Sequence, residues 1–283
     1  MVSKPNTPHG LNWSQRARLG ELQAVCNASV SNKRNLALHG MTLAAAKRAL
    51  RYRQKQPNER NVERPVLLDY GSGTGRFVRF FDEQGYRVIG LDITREMLEE
   101  ARRFGIPREA LLAQFNGLSI PLLDESIDVV WICGVLKYTL FPPGAKSLHG
   151  NSEESTEPFE PTYIQVVREL YRVLKPGGII ANYEMYVDQP ADVFTTAFED
   201  AGFVCDRISI VRQYKGFLER GFEWKDCYGL PRSLIFLIAG AIAEFRFLFD
   251  NPRRPPREST FRDYLFVWRK PNTITLGLNG PPR

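Results

Sequence analysis

The chain has 283 residues, of which 43% are hydrophobic and 25% charged, so it is long enough for one elaborated domain with an ordinary core. Residues 1–10 are polar and contain proline, which argues against a secretory signal and favours a cytoplasmic protein. The four cysteines, Cys26, Cys133, Cys205 and Cys227, lack the close pairing of a metal site, so we expect reduced thiols and no metal.

Positive charge is concentrated at the N-terminus. The net charge is +6, yet residues 1–65 carry twelve Lys or Arg against three Glu, a net +9, which leaves the remainder at −3. A basic segment of this kind suits contact with nucleic acid, anionic lipid or a phosphorylated substrate. It suits a solvated helix face equally well.

Two helices are predicted ahead of the first strand, over residues 14–25 and 35–54. In the second, spacings of three and four place an apolar stripe on one face. Its members are Leu36, His39, Leu43, Ala46 and Leu50.

A glycine-rich turn dominates the middle of the sequence. Residues 66–70 predict a short buried strand, and a helix follows the turn. The glycines of the turn are Gly71, Gly73 and Gly75. Glycine lets a ligand approach the backbone closely, and a helix N-terminus offers unpaired N–H groups. A second strand over 87–92 ends at Asp92, where a carboxylate can accept hydrogen bonds from ribose hydroxyls. This order of elements indicates a site for a nucleotide-like cofactor.

Three further stretches follow the glycine turn in an order that matches the motifs of a known family. They are Leu91 to Leu98, Asn116 to Val130, and Glu169 to Gly178. With the glycine turn they cover about residues 65–212 and resemble the ordered motifs of the class I S-adenosylmethionine-dependent methyltransferases. The resemblance implies S-adenosylmethionine as the cofactor and methyl transfer as the activity.

The resemblance also implies the fold and its divisions. We expect an α/β, doubly wound, Rossmann-like sheet of seven strands whose seventh strand runs antiparallel beside the sixth. The strands are expected near 66–70, 87–92, 111–114, 128–133, 178–185, 205–212 and 262–269. A basic helical lid over 1–64 precedes a domain over 65–272, and a tail over 273–283 follows. Insertions are expected at about 141–162, a candidate gate or surface loop, and at about 214–259.

Cofactor contacts at the methionine end are assigned by the same resemblance. It implies that Asp69 orients the glycine loop and the methionine moiety, and that the backbone of Gly71, Ser72 and Gly73 contacts this moiety. Cys133, in the fourth strand, is read as a small buried residue beside the cofactor.

The nucleoside end is assigned in the same way. The resemblance implies that Asp92 binds the ribose hydroxyls, and that Ile93 and Met97 border the adenine. Asn116, with Gly117 beside it, occupies a position where the family usually has Asp. Its amide oxygen can accept a hydrogen bond from the adenine amine without a charge.

Catalytic candidates follow the fourth and fifth strands, where the family places residues that face the acceptor. They are Tyr138 beside Lys137, Tyr183 beside Glu184 and Tyr186, His149 in the gate, and His39 if the lid reaches the site. Each also suits packing or solvent exposure. Many such enzymes need no strong base when the nucleophile is already reactive.

Three functions are compatible with these features. The first is a methyltransferase acting on the oxygen, nitrogen or carbon of a small or medium-sized molecule. The second is an RNA methyltransferase that uses the basic extension, although no Asp/Asn-Pro-Pro-Tyr/Phe or Pro-Cys motif is present. The third is a non-catalytic cofactor-binding partner of another subunit. The oligomeric state stays open.

An apolar run over residues 234–243 adds a separate expectation. It is too short to cross a bilayer, for which about 20 residues are needed. It could lie at a membrane interface beside arginines, pack against the core, close a hydrophobic substrate pocket or form a dimer face. We predict packing against the protein or its acceptor.

Overall fold

The computed structural model describes residues 13–26, 31–54, 64–140, 160–187, 192–213, 230–247 and 262–272. The first predicted helix is interrupted. Trp13–Arg16 (α1) continues into a 3-10 turn at Ala17–Leu19, and a separate helix, Glu21–Val25 (α2), follows. The break falls at Gly20, whose φ of +98° is incompatible with a right-handed helix. The second predicted helix is confirmed and begins slightly earlier, as Asn32–Gln54 (α3).

Seven strands form one sheet, as expected from the sequence. They are Val66–Tyr70 (β1), Arg87–Asp92 (β2), Leu111–Gln114 (β3), Ile127–Cys133 (β4), Leu174–Val187 (β5), Val204–Gln213 (β6) and Arg262–Arg269 (β7). Their order is β3-β2-β1-β4-β5-β7-β6. The first five strands pair in parallel, and β7 is antiparallel to both β5 and β6. The carboxyl ends of β1, β2, β4 and β5 therefore share one edge, where ligands of such sheets bind.

Helices cover both faces of this sheet. The remaining ones are Arg76–Glu83 (α4), Arg95–Arg103 (α5), Leu136–Leu140 (α6), Glu160–Val173 (α7), Asp192–Asp200 (α8) and Arg232–Phe247 (α9). One buried cluster joins the sheet to α3, α4, α5 and α9, and a second joins it to α7 and α8. The sheet is thus buried on both sides, as expected for a largely parallel sheet.

The buried face of helix α3 coincides only in part with the predicted stripe, of which Ala46 and Leu50 are buried while Leu36, His39 and Leu43 are half-buried. Ala37, Ala44 and Ala45 lie off that stripe and are also buried in the main cluster. The reason is that α9 packs across α3 at a close crossing. A Cβ placed on Gly40 would lie 2.6 Å from the backbone oxygen of Phe236. The described part of the predicted lid therefore divides into α1–α2 and a core helix, α3.

The apolar run over 234–243 lies within α9 and packs as predicted. Ile235, Ala239 and Ala243 are fully buried against the protein. The opposite face is exposed, and Leu237 there is 63% exposed. In the part of the chain that the structure describes, no helix has the length and apolarity needed to cross a membrane.

Several expectations fall outside the described residues, among them the tail over 273–283 and parts of the lid over 1–64. Residues 141–159, most of the predicted gate, are among them, and His149 belongs to this segment. Most of the second insertion apart from α9 is also outside, including Cys227.

Candidate active site

The glycine turn after β1 adopts a backbone that side chains would disturb. Gly71 and Gly73 have φ values of +78° and +54°. A Cβ on Gly71 would lie 2.4 Å from a methyl of Val135, and one on Gly73 would lie 2.6 Å from a methyl of Val25. The loop after β4 and helix α2 thus lie directly against this turn, which explains why glycine is required.

The backbone N–H groups of the turn are already used within the chain. Those of Gly71 and Ser72 donate to the Leu91 oxygen at 2.8 and 2.9 Å. The Ser72 side chain lies under Gly90, and its hydroxyl has no hydrogen-bond partner among the described residues. Backbone contacts from Gly71 and Ser72 to a ligand would therefore use carbonyl oxygens or close approach of the backbone.

Asp92 joins the glycine turn to the start of α5. One carboxylate oxygen accepts the N–H of Gly73 at 2.8 Å, and the other accepts the N–H of Thr94 at 2.8 Å. Burial raises the pKa of Asp92, while these backbone hydrogen bonds oppose the shift. The Thr94 side chain and the Ile93 N–H also act on this carboxylate as hydrogen-bond donors, so a ribose hydroxyl would share the carboxylate oxygens with them.

Asp69, at the end of β1, has an unsatisfied oxygen. The side chain is 1% exposed, and its Oδ2 has no hydrogen-bond partner in the described part of the chain. Burial raises the pKa of this carboxyl to about 8, although nearby Arg76 opposes the shift. A buried acceptor of this kind is costly unless a ligand supplies a donor.

The residues assigned to the adenine lie along one wall. Ile93 is partly exposed, and a Cβ on Gly117 would lie 3.1 Å from its Cγ2. Met97 is buried and packs with Ala17 and Ala24 of the N-terminal segment. The N-terminal segment therefore packs against Met97, one of the residues assigned to the adenine.

Asn116 holds its own loop. Its Oδ1 accepts the N–H groups of Leu118 at 2.9 Å and Ser119 at 2.8 Å. Both lone pairs of the oxygen are then occupied, which conflicts with a hydrogen bond to an adenine amine. That contact stays a prediction, and the structure gives Asn116 the role of shaping the loop beside Gly117.

A buried arginine that the sequence analysis missed, Arg76, lies next to the glycine turn. Nη1 of Arg76 is 3.2 Å from the sulfur of Cys26 and 3.3 Å from Nδ1 of His39, and its Nη2 is 3.3 Å from the sulfur of Cys133. The available signal was an arginine directly after the third glycine, on the first turn of a helix whose neighbouring residues are apolar.

This arginine determines the environment of two predicted site residues. Burial, together with Arg76, lowers the pKa of His39 to about 3, so the imidazole stays neutral. Its ring packs between those of Phe77 and Phe236, which fits a core histidine better than a base that reaches an acceptor. Burial raises the pKa of Cys133 to about 12, so this cysteine stays a thiol.

Tyr183 does not line an acceptor pocket as expected. Its side chain is fully buried, and its hydroxyl donates to Asp263 Oδ2 at 2.8 Å. Asp263 also forms a buried ion pair with Arg212 at 2.9 Å. Odd-numbered positions at this end of β5 face the cluster beneath α3, which is why Tyr183 points into the core rather than to the site.

Tyr138 is the predicted catalytic residue that stands beside the N-terminal segment. Its ring meets that of Trp13 edge to face at 5.8 Å. The neighbouring Lys137 donates to the Met185 oxygen at 2.9 Å, and Glu184 accepts the N–H of Leu136 at 3.0 Å. Glu184 is fully buried, and burial raises its pKa to about 7. These contacts fix the loop after β4.

The comparisons agree with this geometry. Residues 68–150 match the family model described as a methyltransferase domain. The fold is similar to a chain of the solved complex between the Haloferax volcanii Trm112 methyltransferase activator and a methyltransferase. The TM-score is 0.50 at 18% identity, and the match covers 83% of this chain and 94% of that one. The chain therefore contains a methyltransferase domain on a Rossmann-like methyltransferase fold.

Curated relatives match part of the chain. A malonyl-[acyl-carrier protein] O-methyltransferase of Serratia marcescens is 32% identical over 114 residues, which are 40% of this chain and 36% of that protein. The biotin biosynthesis bifunctional protein BioHC of Cellvibrio japonicus is 27% identical over 180 residues, 60% of this chain and 32% of that protein. The chain thus spans about a third of the length of these relatives.

Much of the N-terminal positive charge is used in contacts within the chain. Arg51 pairs with Glu244 of α9, Arg64 pairs with Asp82 at 2.9 Å, and Arg53 donates to the Tyr86 hydroxyl at 3.1 Å. The guanidinium of Arg48 lies over the ring of Phe247 at 5.2 Å. These contacts give the basic residues structural roles that do not require a nucleic acid.

Proposed function

We propose that the protein is an S-adenosylmethionine-dependent methyltransferase acting on a small or medium-sized acceptor. The observation that carries this proposal is the pair of acids at adjacent strand ends. Asp92 is held by the N–H groups of Gly73 and Thr94, and buried Asp69 has an oxygen without a partner among the described residues. This arrangement suits a ligand that brings ribose hydroxyls to one acid and a cationic donor to the other.

The bound cofactor supplies an electrophilic methyl group on a sulfonium, and the chain's own residues position it. Asp92 would hold the ribose, Asp69 the methionine end, and Ile93 one face of the adenine. Helices α1 and α2 lie over the glycine turn and would exclude water from the reaction. Such displacement reactions depend mainly on positioning the two partners.

The acceptor is inferred from the described residues directly after β4, 134–140, which include no histidine or carboxylate. In the described part of this region, Lys137 is bonded to a backbone oxygen and Glu184 is buried against a backbone N–H. An acceptor that is nucleophilic without deprotonation by the protein, such as a carboxylate or a neutral amine, therefore fits best. Relatives named for O-methylation of malonyl-[acyl-carrier protein] make a carboxylate the first choice.

The test has a binding step and a transfer step. Calorimetry with S-adenosylhomocysteine should show saturable binding, weakened in an Asp92→Ala variant. Purified protein is then incubated with methyl-labelled cofactor and a fractionated cell extract. A carboxyl methyl ester releases its label as methanol in alkali, whereas methylated amines and carbons keep it.

The outcomes separate the candidate functions. Alkali-labile label in a small-molecule fraction would support the proposal in full, and alkali-stable label there would replace the carboxylate with a nitrogen or carbon acceptor. Label in the RNA fraction would favour the second function. Saturable binding without label in any fraction would favour a non-catalytic partner, and no binding would overturn the proposal. A cytoplasmic location stays a prediction.

A further inference from the structure

The outer side of α9 carries a cluster of exposed apolar side chains. In the described part of the chain nine large apolar side chains are exposed, and four of them are Leu230, Leu234, Leu237 and Phe245, here called the outer stripe. Their spacing places them on one side of the helix, opposite buried Ile235. Exposed apolar residues that are clustered in this way, and not scattered singly, mark a contact surface.

Positive charge is concentrated on the same layer of two helices. Helix α3 contains six Lys or Arg and no acid, and α9 contains two Arg and one Glu. The two helices therefore have a net charge of +7, whereas the whole chain has a net charge of +6, so all the other residues together carry −1. The α3–α9 layer is thus the basic surface of the protein, and it favours a polyanionic partner.

The basic side chains of α3 border the outer stripe at both of its ends. Lys33, at the start of α3, donates to the Leu230 oxygen at 3.2 Å, and Arg51, near the end of α3, pairs with Glu244. The two helices therefore run side by side in the same direction. Lys47 is exposed and lies one turn before Arg51. Cations consequently stand beside an apolar row that is about four turns long.

We propose that the outer stripe and the basic residues of α3 dock the protein on an anionic lipid surface. The apolar side chains would enter the boundary between headgroups and acyl chains, while the cations would lie at the level of the lipid phosphates. The inner side of α9 stays packed against the protein, because only the opposite side meets the lipid. The proposal does not depend on the identity of the methyl acceptor.

The shape and charge of this surface favour lipid over two other occupants. Leu237 and Phe245 are 63% and 52% exposed, so among the described residues they project outward instead of lining a groove, and a deformable surface accommodates such a row. A second copy of the chain would bring two layers of net charge +7 together. RNA would satisfy the cations, but its phosphates give the leucines no apolar environment.

The test uses the whole protein and two kinds of vesicle. One kind is phosphatidylcholine alone, and the other is phosphatidylcholine and phosphatidylglycerol in equal parts. Cosedimentation should show binding to the anionic vesicles at least about tenfold tighter than to the neutral ones. Added salt should reduce this difference, because it screens exposed charges.

Two pairs of variants locate the contact. Leu237→Ser should weaken vesicle binding about tenfold, because one leucine no longer enters the lipid. Leu123→Ser is its matched control, since Leu123 is 81% exposed but lies outside the stripe, and it should leave binding unchanged. Lys47→Gln should weaken binding to the anionic vesicles about fivefold and leave binding to the neutral ones unchanged. Arg168→Gln removes the same charge from an exposed position of α7, on the other face of the sheet, and should have no effect.

Several results would overturn the proposal. They are absence of binding to either kind of vesicle, equal losses in the two leucine variants, and equal losses in Lys47→Gln and Arg168→Gln. A dimer in analytical ultracentrifugation that Leu237→Ser dissociates, without vesicle binding, would assign the stripe to a second copy of the chain. No readout here measures methyl transfer or cofactor binding, so such a failure would leave the proposed function intact.

Discussion

Replacing Asp92 with asparagine tests the centre of the site. The carboxylate accepts one backbone N–H with each oxygen, from Gly73 and from Thr94, at 2.8 Å. Asparagine has a single acceptor oxygen, so one of these N–H groups would face an amide NH2 group instead. We therefore expect both the turn and the ligand site to be affected.

The size of each effect follows from these contacts. A buried N–H left without an acceptor costs about 1–3 kcal/mol of unfolding free energy. Because burial raises the pKa of Asp92, removing the charge offsets part of that loss, and we expect the lower half of the range. Loss of charge-assisted hydrogen bonds to the ribose should cost about 2–4 kcal/mol of binding, or about 30- to 1000-fold in Kd.

Denaturant unfolding measures the first effect, and calorimetry with S-adenosylhomocysteine measures the second. Asp124→Asn is the matched control, because Asp124 is an exposed acid paired with Arg172 at 2.6 Å. It should change stability by less than about 1 kcal/mol and leave binding unchanged. An unchanged Kd in a folded Asp92→Asn protein would refute the assignment of this carboxylate to the cofactor.

Four further predictions concern the surrounding structure. Asn116→Asp should keep cofactor affinity within about tenfold. Asn116→Leu should weaken cofactor binding and lower the unfolding free energy of the unliganded protein by about 1–3 kcal/mol. If Asn116→Leu weakens binding without lowering the unfolding free energy, contact with the adenine is favoured over loop shaping. Residues 13–26 should gain protection from hydrogen exchange when S-adenosylhomocysteine binds, and unchanged exchange there would contradict a closing segment. Ile235→Ala should lower the unfolding free energy by about 2–5 kcal/mol, while Leu237→Ser on the exposed face should change it by less than about 0.5 kcal/mol. Similar losses for the two variants in denaturant unfolding would disprove the packing of α9. Vesicle binding that is lost only in the Leu237→Ser variant would indicate that this face contacts a membrane. Burial raises the pKa of Asp69 to about 8, so the protonated carboxyl is favoured in the folded protein. The stability of wild type relative to Asp69→Asn should therefore be greatest at acid pH and decline as pH rises from about 4 through 8. Unfolding temperatures of the two proteins that change in parallel with pH would contradict this.

The sheet could be predicted because its signals are local and ordered. Buried apolar runs, glycine turns and acids at strand ends recur along the chain in the order in which the strands form. Only the start of β5 was misplaced. It begins at Leu174, before the Pro-Gly-Gly turn, because Leu174 pairs with Ile127 ahead of an irregularity in the ladder.

Features that depend on distant contacts could not be predicted in the same way. The buried sides of α3 are set by α9, about 190 residues later in the chain, and no periodicity within α3 reveals that partner. The direction of Tyr183 depends on the alternation of β5, and its partner Asp263 comes from β7. The role of Arg76 depends on Cys26 and Cys133, which only folding brings to its side chain.

The crossing of α3 and α9 also constrains how the chain folds. Gly40 of α3 and Phe236 of α9 meet there. Helix α3 is among the first elements synthesised, whereas α9 follows six of the seven strands in the chain, so α3 obtains its covering helix late. Until then the alanine-rich sides of α3 remain open to solvent or to non-native neighbours. Contacts between such distant segments carry a high loop-closure cost and form slowly. A nascent chain released before residue 232 would therefore retain the sequence of the cofactor site, but with an incomplete core and a surface prone to aggregation.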